Sequence, residues 1–292
     1  MKMLKETYTL NNGVEIPKIG LGTWQMHDEK IHNAISAAFE LGYRHIDTAE
    51  AYGNEKEVGE AVRASGLPRE EIFVTTKVLA KVKDYEKAKK CIEDSLATLD
   101  IGYIDLMIIH CPQPWDEYNR SENRYKEGNV AVYKALEEFY KAGRIRAIGV
   151  SNFREEDIEN ILENCEVVPA VDQILCHISN TPHSLIGYCK KKGIQIEAYS
   201  PIAHGEILQN EAIAKMAEKY GVSVARLCVR YCLQLGAVVL PKASSREHLA
   251  ENADVSFVIT EEDMELLKGF EKIRDYGESS RFPAFGGNRP EY

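Results

Sequence analysis

Residues Ile104-Asp105-Leu106-Met107-Ile108-Ile109-His110 read IDLMIIH. The middle of this stretch is apolar at consecutive positions, so a strand formed here is covered on both faces, as in a parallel sheet flanked by helices. Just before it, Ala88, Cys91, Ile92, Leu96 and Leu99 line one side of a helix. Just after it comes Cys111–Gly128, a long polar and aromatic stretch, CPQPWDEYNRSENRYKEG. The reading is helix, doubly covered strand, then an irregular loop.

Outward from there the unit recurs. Candidate strands are Ile19–Leu21, Arg44–Asp47, Phe73–Lys77, Ile104–His110, Ile145–Val150, Val168–Gln173, Gln195–Ser200 and Val238–Lys242, eight in all. Helical stripes lie between them, such as Ile31, Ala34, Ile35, Ala38 and Phe39, or Val224, Leu227, Cys228, Tyr231, Cys232 and Leu235. Gly42, Gly143, Gly193 and Gly236 stand just past helical stretches, where a left-handed residue ends a helix. Thr260-Glu261-Glu262-Asp263 has the form of a capping box before a last helix. At the start, Thr7–Leu10 and Val14–Ile16 flank Asn11-Asn12-Gly13, a hairpin signal. The alternation predicts an α/β fold, a (β/α)8 TIM barrel with the N-terminal hairpin closing one end. A doubly wound sheet is the competing topology, and no GxGxxG follows the first strand to support it. No Pro/Gly/Ser-rich linker divides the chain, so 1–292 reads as a single barrel domain.

Composition narrows the function. Lys+Arg number 36 against 46 Asp+Glu, a net charge of −10 that argues against a general nucleic-acid or anionic-membrane binder. Apolar runs are only a few residues long, and the opening MKMLKETYTL has no apolar signal region, so neither a membrane span nor export is expected. Seven cysteines scattered from Cys91 to Cys232 without CxxC fit reduced thiols in a cytoplasmic protein, with no disulfide frame and no metal site expected.

Four polar residues stand at or just past expected strand ends: Asp47, Tyr52, Lys77 and His110. In a barrel those ends converge on one mouth. Tyr52 suits a general acid if its pKa, ordinarily about 10, is lowered. A buried Lys77 ammonium would lower it, Asp47 would keep that ammonium charged and in place, and His110 would orient a substrate oxygen. Singly, each has a plain alternative: a strand-end cap, a surface pair, a packed histidine, one tyrosine of fifteen. Together they suggest reduction of a carbonyl, and since no side chain supplies a hydride, a cofactor must.

HIDTAEAYGNE (45–55), VTTK (74–77), DLMIIH (105–110), GVSNF (149–153), VDQ (171–173), AYSP (198–201) and LPK…EN (240–242, 251–252) occur in this order and resemble the aldo-keto reductase superfamily. The likeness runs from Gly20–Trp24 to Glu251-Asn252. It implies a barrel enzyme that reduces aldehydes and ketones to alcohols with NADPH. By that resemblance Asp47, Tyr52, Lys77 and His110 form a catalytic tetrad with Tyr52 as the acid. Ser151, Asn152 and Gln173 match residues holding the nicotinamide carboxamide, Tyr199 the aromatic stacked on the ring, and Thr23 and Asp47 neighbours of the cofactor. Asn152 also reads as a helix N-cap. Ser200, Pro201 and Ile202 begin a loop that wraps the pyrophosphate, short here and expected to form a light clasp. Lys242, Ser244 and Ser245 match the 2′-phosphate site, and Glu251 and Asn252 the adenine contacts. His248 stands where arginine is common, and Arg246 is offset by two positions, so some NADH use is expected beside NADPH.

Trp24, Tyr52, His110 and Cys111 match the substrate pocket. Cys111 stands where tryptophan is common, which predicts a roomier wall covered by Trp115 and Tyr118. The tail Tyr276–Tyr292 is expected to frame the same mouth. The partner is then a small carbonyl compound and the protein a monomer. Rival readings are a cofactor-sensing binding protein and a phosphate-binding barrel isomerase.

Overall fold

The computed structural model of the chain describes residues 2–285. Its strands are β1 (Thr7–Thr9), β2 (Glu15–Pro17), β3 (Leu21–Gly22), β4 (His45–Asp47), β5 (Phe73–Val78), β6 (Ile104–Ile109), β7 (Ile145–Ser151), β8 (Val171–Leu175), β9 (Gln195–Tyr199) and β10 (Val238–Leu240). Its helices are α1 (Asp28–Leu41), α2 (Glu55–Ala64), α3 (Tyr85–Leu99), α4 (Lys126–Lys141), α5 (Glu155–Asn164), α6 (His183–Lys192), α7 (Glu211–Lys219), α8 (Val224–Gln234), α9 (Arg246–Ala253) and α10 (Glu261–Lys268).

Strands β3 to β10 pair in sequence order, all parallel. The ring closes where Ile19 bridges Val239, with Gly20 N–H donating to Val239 O at 3.0 Å and Val239 N–H to Lys18 O at 2.9 Å. This is the expected (β/α)8 barrel. The hairpin β1–β2 is antiparallel, and its Leu10 and Ile16 pack with Phe73, Leu106, Ala147, Val171 and Val238 as a stopper on the floor.

Strand bounds moved where proline intervenes. The sixth barrel strand was expected from Val168, but Pro169 has no N–H to pair, and β8 starts at Val171. Pro241 likewise ends β10 at Leu240, short of Lys242. The four expected capping glycines are all left-handed, with φ of 102° at Gly42, 72° at Gly143 and Gly193, and 86° at Gly236. Only half of the capping box forms. Thr260 Oγ1 accepts from Asp263 N–H at 3.2 Å, but the Asp263 carboxylate goes to Lys219 and Tyr220, and Thr260 N–H donates to the Tyr220 hydroxyl instead. The sequence opens toward a helix at Leu208, and α7 begins at Glu211. Its signal was present: Asn210 Oδ1 accepts from Ala212 and Ile213 N–H, and Ile213 and Ala217 form the buried side.

Candidate active site

Each member of the proposed tetrad comes from a strand end at the open mouth. Asp47 closes β4, Lys77 lies near the end of β5, and His110 follows β6 directly. Tyr52 sits in the 3-10 turn Glu50–Tyr52 just beyond β4. That turn is set by Asn54, a residue the sequence reading passed over inside its own motif. Asn54 accepts from Thr48 Oγ1 at 2.6 Å and donates to the carbonyls of Thr23 and Met26 at 3.0 and 2.9 Å, stitching the loops after β3 and β4 together.

Lys77 is wholly buried, and its ammonium meets both Asp47 carboxylate oxygens at 2.8 Å, the Thr48 carbonyl at 2.7 Å and the Tyr52 hydroxyl at 3.4 Å. Desolvation works against its charge, but Asp47 and Tyr52 together more than offset this, and its pKa stands above the ordinary lysine value. The expectation for Tyr52 needs correction. Lys77 does pull the phenol down, but burial outweighs that pull and the phenol stands above its ordinary value of 10. Burial, helped by the Lys77 charge, holds His110 well below the usual histidine range, so its imidazole is neutral. Its ring meets Tyr52 edge to face at 5.7 Å between centroids, and its Nδ1 is buried without a hydrogen bond.

The proposed carboxamide residues form one wall adjoining this set. Ser151 Oγ donates to Gln173 O at 2.8 Å and accepts from Asn152 Nδ2 at 2.9 Å. Asn152 Nδ2 also donates to the His110 carbonyl at 3.2 Å, and Asn152 Oδ1 accepts from the Tyr199 hydroxyl at 2.7 Å. Asn152 is left-handed, with φ of 61°, and Arg154 occupies the N-cap position of α5, so the capping alternative falls. Gln173 Nε2 donates to Asp47 Oδ2 at 2.8 Å, joining the wall to the tetrad.

Thr23 is completely buried, and its hydroxyl donates to the Asp47 carbonyl at 2.9 Å, a brace for β4. Ser200, Pro201 and Ile202 lead into the turn Ala203–Gln209, where Ser200, Ala203, His204 and Gly205 all have positive φ and Ser200 Oγ lies 3.1 Å from His204 Nε2. The loop is short, and α7 follows it. At the far end Lys242 is exposed, and Ser244, Ser245 and His248 share the turn that starts α9, with Ser245 capping it through His248 N–H at 3.2 Å. Arg246 pairs with Glu40 on α1. Glu251 is half-buried and Asn252 buried on α9.

Trp24 is half-buried among His204 (5.5 Å between centroids), Phe282 (4.8 Å) and Phe285 (6.0 Å), so the tail does frame the mouth. Its last stretch, 286–292, lies outside the described residues. Cys111 is buried in a cluster with Ala80, Tyr118 and Trp115, and burial pushes its thiol to about 12. Trp115 meets the His110 ring edge to face at 5.3 Å, so the wall at Cys111 is covered by the loop rings expected there. Lys83, another residue the sequence reading missed, anchors the loop by donating to the Cys111 carbonyl at 2.9 Å and Asn129 Oδ1 at 2.8 Å. Among the described residues, no three His, Cys, Asp or Glu side chains gather as a metal ion would need, and no helix is long and apolar enough to cross a membrane.

The geometry is that of a phenol beside a buried ammonium–carboxylate pair, next to an amide-lined wall. Residues 18–272 match the model of the aldo/keto reductase family. The chain belongs to that family. Among similar proteins is the glyoxal reductase of Bacillus subtilis (strain 168), 40% identical over 276 residues, spanning 94% of this chain and 96% of that protein. Aldehyde reductase YPR1 of Saccharomyces cerevisiae is 38% identical over 299 residues, spanning 94% and 93%. Among solved structures, MGS-M4, an aldo-keto reductase from a Medee basin deep-sea metagenome library, superposes with a TM-score of 0.83 at 40% identity, covering 91% of this chain and 95% of that one. Aldo-keto reductases reduce carbonyl compounds to alcohols and generally use nicotinamide cofactors, and this aldo-keto reductase has the barrel for it.

Proposed function

We propose that this aldo-keto reductase reduces small aldehydes and ketones with NADPH, using Tyr52 as the proton donor. The observation that carries the reading is the Lys77 ammonium, fixed by Asp47 and 3.4 Å from the Tyr52 hydroxyl at the barrel mouth. The residues fit the cofactor: Gln173 spends its amide nitrogen inward on carboxyls, leaving its amide oxygen without a partner among the described residues, and a carboxamide N–H wants such an acceptor. Ser151 and Asn152 would hold the rest of that carboxamide, Tyr199 the ring face, Ser200–Ile202 the pyrophosphate, and Lys242 with Ser244 and Ser245 the 2′-phosphate. Held there, the cofactor would supply the hydride for the carbonyl carbon.

The chain's own residues manage the proton. As charge builds on the carbonyl oxygen, Tyr52 O–H gives it a proton. A phenol above 10 is still a far stronger acid than an alcohol, so the transfer runs downhill. The ammonium of Lys77 stabilises the phenolate left behind, and the neutral His110 orients the oxygen. The printed name of the B. subtilis relative puts glyoxal-type dicarbonyls in the substrate panel. Scattered free cysteines support a cytoplasmic location, and we read the protein as a monomer with some NADH use.

The test is NADPH oxidation with an aldehyde panel, repeated with Tyr52→Phe. The variant should lose about 100-fold or more in kcat while NADPH binding, read by fluorescence, changes little. Turnover that survives the substitution refutes the acid role. Tight NADPH binding with no wild-type turnover favours a cofactor sensor instead.

A further inference from the structure

We infer that Glu197 is a positioning residue: it locks the Gln173 amide in one orientation and, through that amide, holds the Asp47 carboxylate against Lys77. The inference rests on the cofactor reading of Gln173 above.

Glu197 is wholly buried in the middle of β9, on the barrel interior. Sheet pairing uses only its backbone. Its side chain does something else: Oε2 accepts from Gln173 Nε2 at 3.0 Å. The same nitrogen donates to Asp47 Oδ2 at 2.8 Å. Both amide hydrogens are therefore taken by carboxyls. Turning the amide over would press its oxygen against the Asp47 carboxylate, which has no hydrogen to offer, and would take from Glu197 Oε2 the N–H it accepts. Glu197 and Asp47 together favour the orientation that turns the amide nitrogen inward and leaves the amide oxygen without a partner among the described residues.

A second carboxyl this close to Asp47 would ordinarily compete for Lys77. Here it does not. Burial, then the Asp47 charge, pushes Glu197 up to about 8, so near neutral pH it is largely uncharged. Its other neighbour, His45, has Nε2 at 3.7 Å from Glu197 Oε1 and 3.0 Å from Thr75 Oγ1, and is itself held neutral, at about 3. Room for that ring comes from Gly20, where a Cβ would stand 2.7 Å from His45 Nδ1. The buried row thus holds one ammonium and one carboxylate, with a neutral carboxyl that accepts a hydrogen bond and adds no opposing charge.

The experiment compares Glu197→Gln, Glu197→Leu, Glu197→Met and Gln173→Leu by NADPH titration of intrinsic fluorescence, alongside KM for NADPH and for an aldehyde. Glutamine keeps the acceptor and should hold the NADPH Kd within about threefold of wild type. Leucine and methionine remove the acceptor and should raise that Kd about tenfold, the size of one hydrogen bond, toward the Gln173→Leu value. KM for the aldehyde should move far less. Two lengths of apolar replacement guard against one of them failing to fold. Wild-type Kd in a folded leucine or methionine variant overturns the inference, and so does a glutamine variant as weak as those two. If Gln173→Leu itself binds NADPH normally, the cofactor reading of Gln173 falls, and this inference with it.

Discussion

The ammonium nitrogen of Lys77 stands 3.4 Å from the Tyr52 hydroxyl and 4.9 Å from the centre of its ring, so one charge underlies both the phenol oxygen and the aromatic face. That charge is held through burial chiefly by Asp47, which meets it with both oxygens at 2.8 Å. Removing one member of such a pair strands the other. Lys77→Met should cost about 3–5 kcal/mol, whereas Lys77→Met combined with Asp47→Asn should recover a large part of that loss. Urea unfolding midpoints measure both. A double variant no more stable than the single one would show that stranded charge is not the source.

Glu197 gives a pH prediction with a defined sign. Its folded value of about 8 exceeds the ordinary 4.5, so between those values the folded chain holds a proton that the unfolded chain has lost. Its contribution to stability is complete below pH 4.5 and declines as pH rises toward 8. Glu197→Gln lacks this slope. The melting temperature of the variant minus that of the wild type should therefore climb from pH 5 to pH 8. A difference that stays level across that range would mean the carboxyl is ionised throughout.

Cofactor choice should turn on Lys242. It is exposed at the end of β10, beside the capped start of α9, while Arg246 is engaged with Glu40. Lys242→Ala should lower the ratio of kcat/KM for NADPH over NADH about tenfold, the loss of one charge-assisted contact. His248→Arg should raise it, because a guanidinium stays charged and binds phosphate in a fork. An unchanged ratio in Lys242→Ala would remove that residue from the 2′-phosphate site.

The barrel was readable because strands covered on both faces, such as β6, carry a plain apolar signature, and strand ends converge by topology. That convergence made Asp47, Tyr52, Lys77 and His110 visible together. Other features depend on three-dimensional context. The rise of the Tyr52 pKa comes from how deeply the site is desolvated, and neighbours in sequence do not report that. Thr23 stands in a motif but braces a backbone carbonyl. Glu197 was hidden for a related reason: in a strand buried on both sides, periodicity does not say which side chains point into the barrel. The start of α7 is legible in Asn210, an N-cap residue just past the loop that opens at Leu208.

Leu10 and Ile16 plug the far end of the barrel, so the rim is the doorway to Lys77. A dead-end chamber imposes a queue. Anything destined for its depth has to pass the rim where Trp24, His204 and Phe285 meet, ahead of whatever is to sit above it.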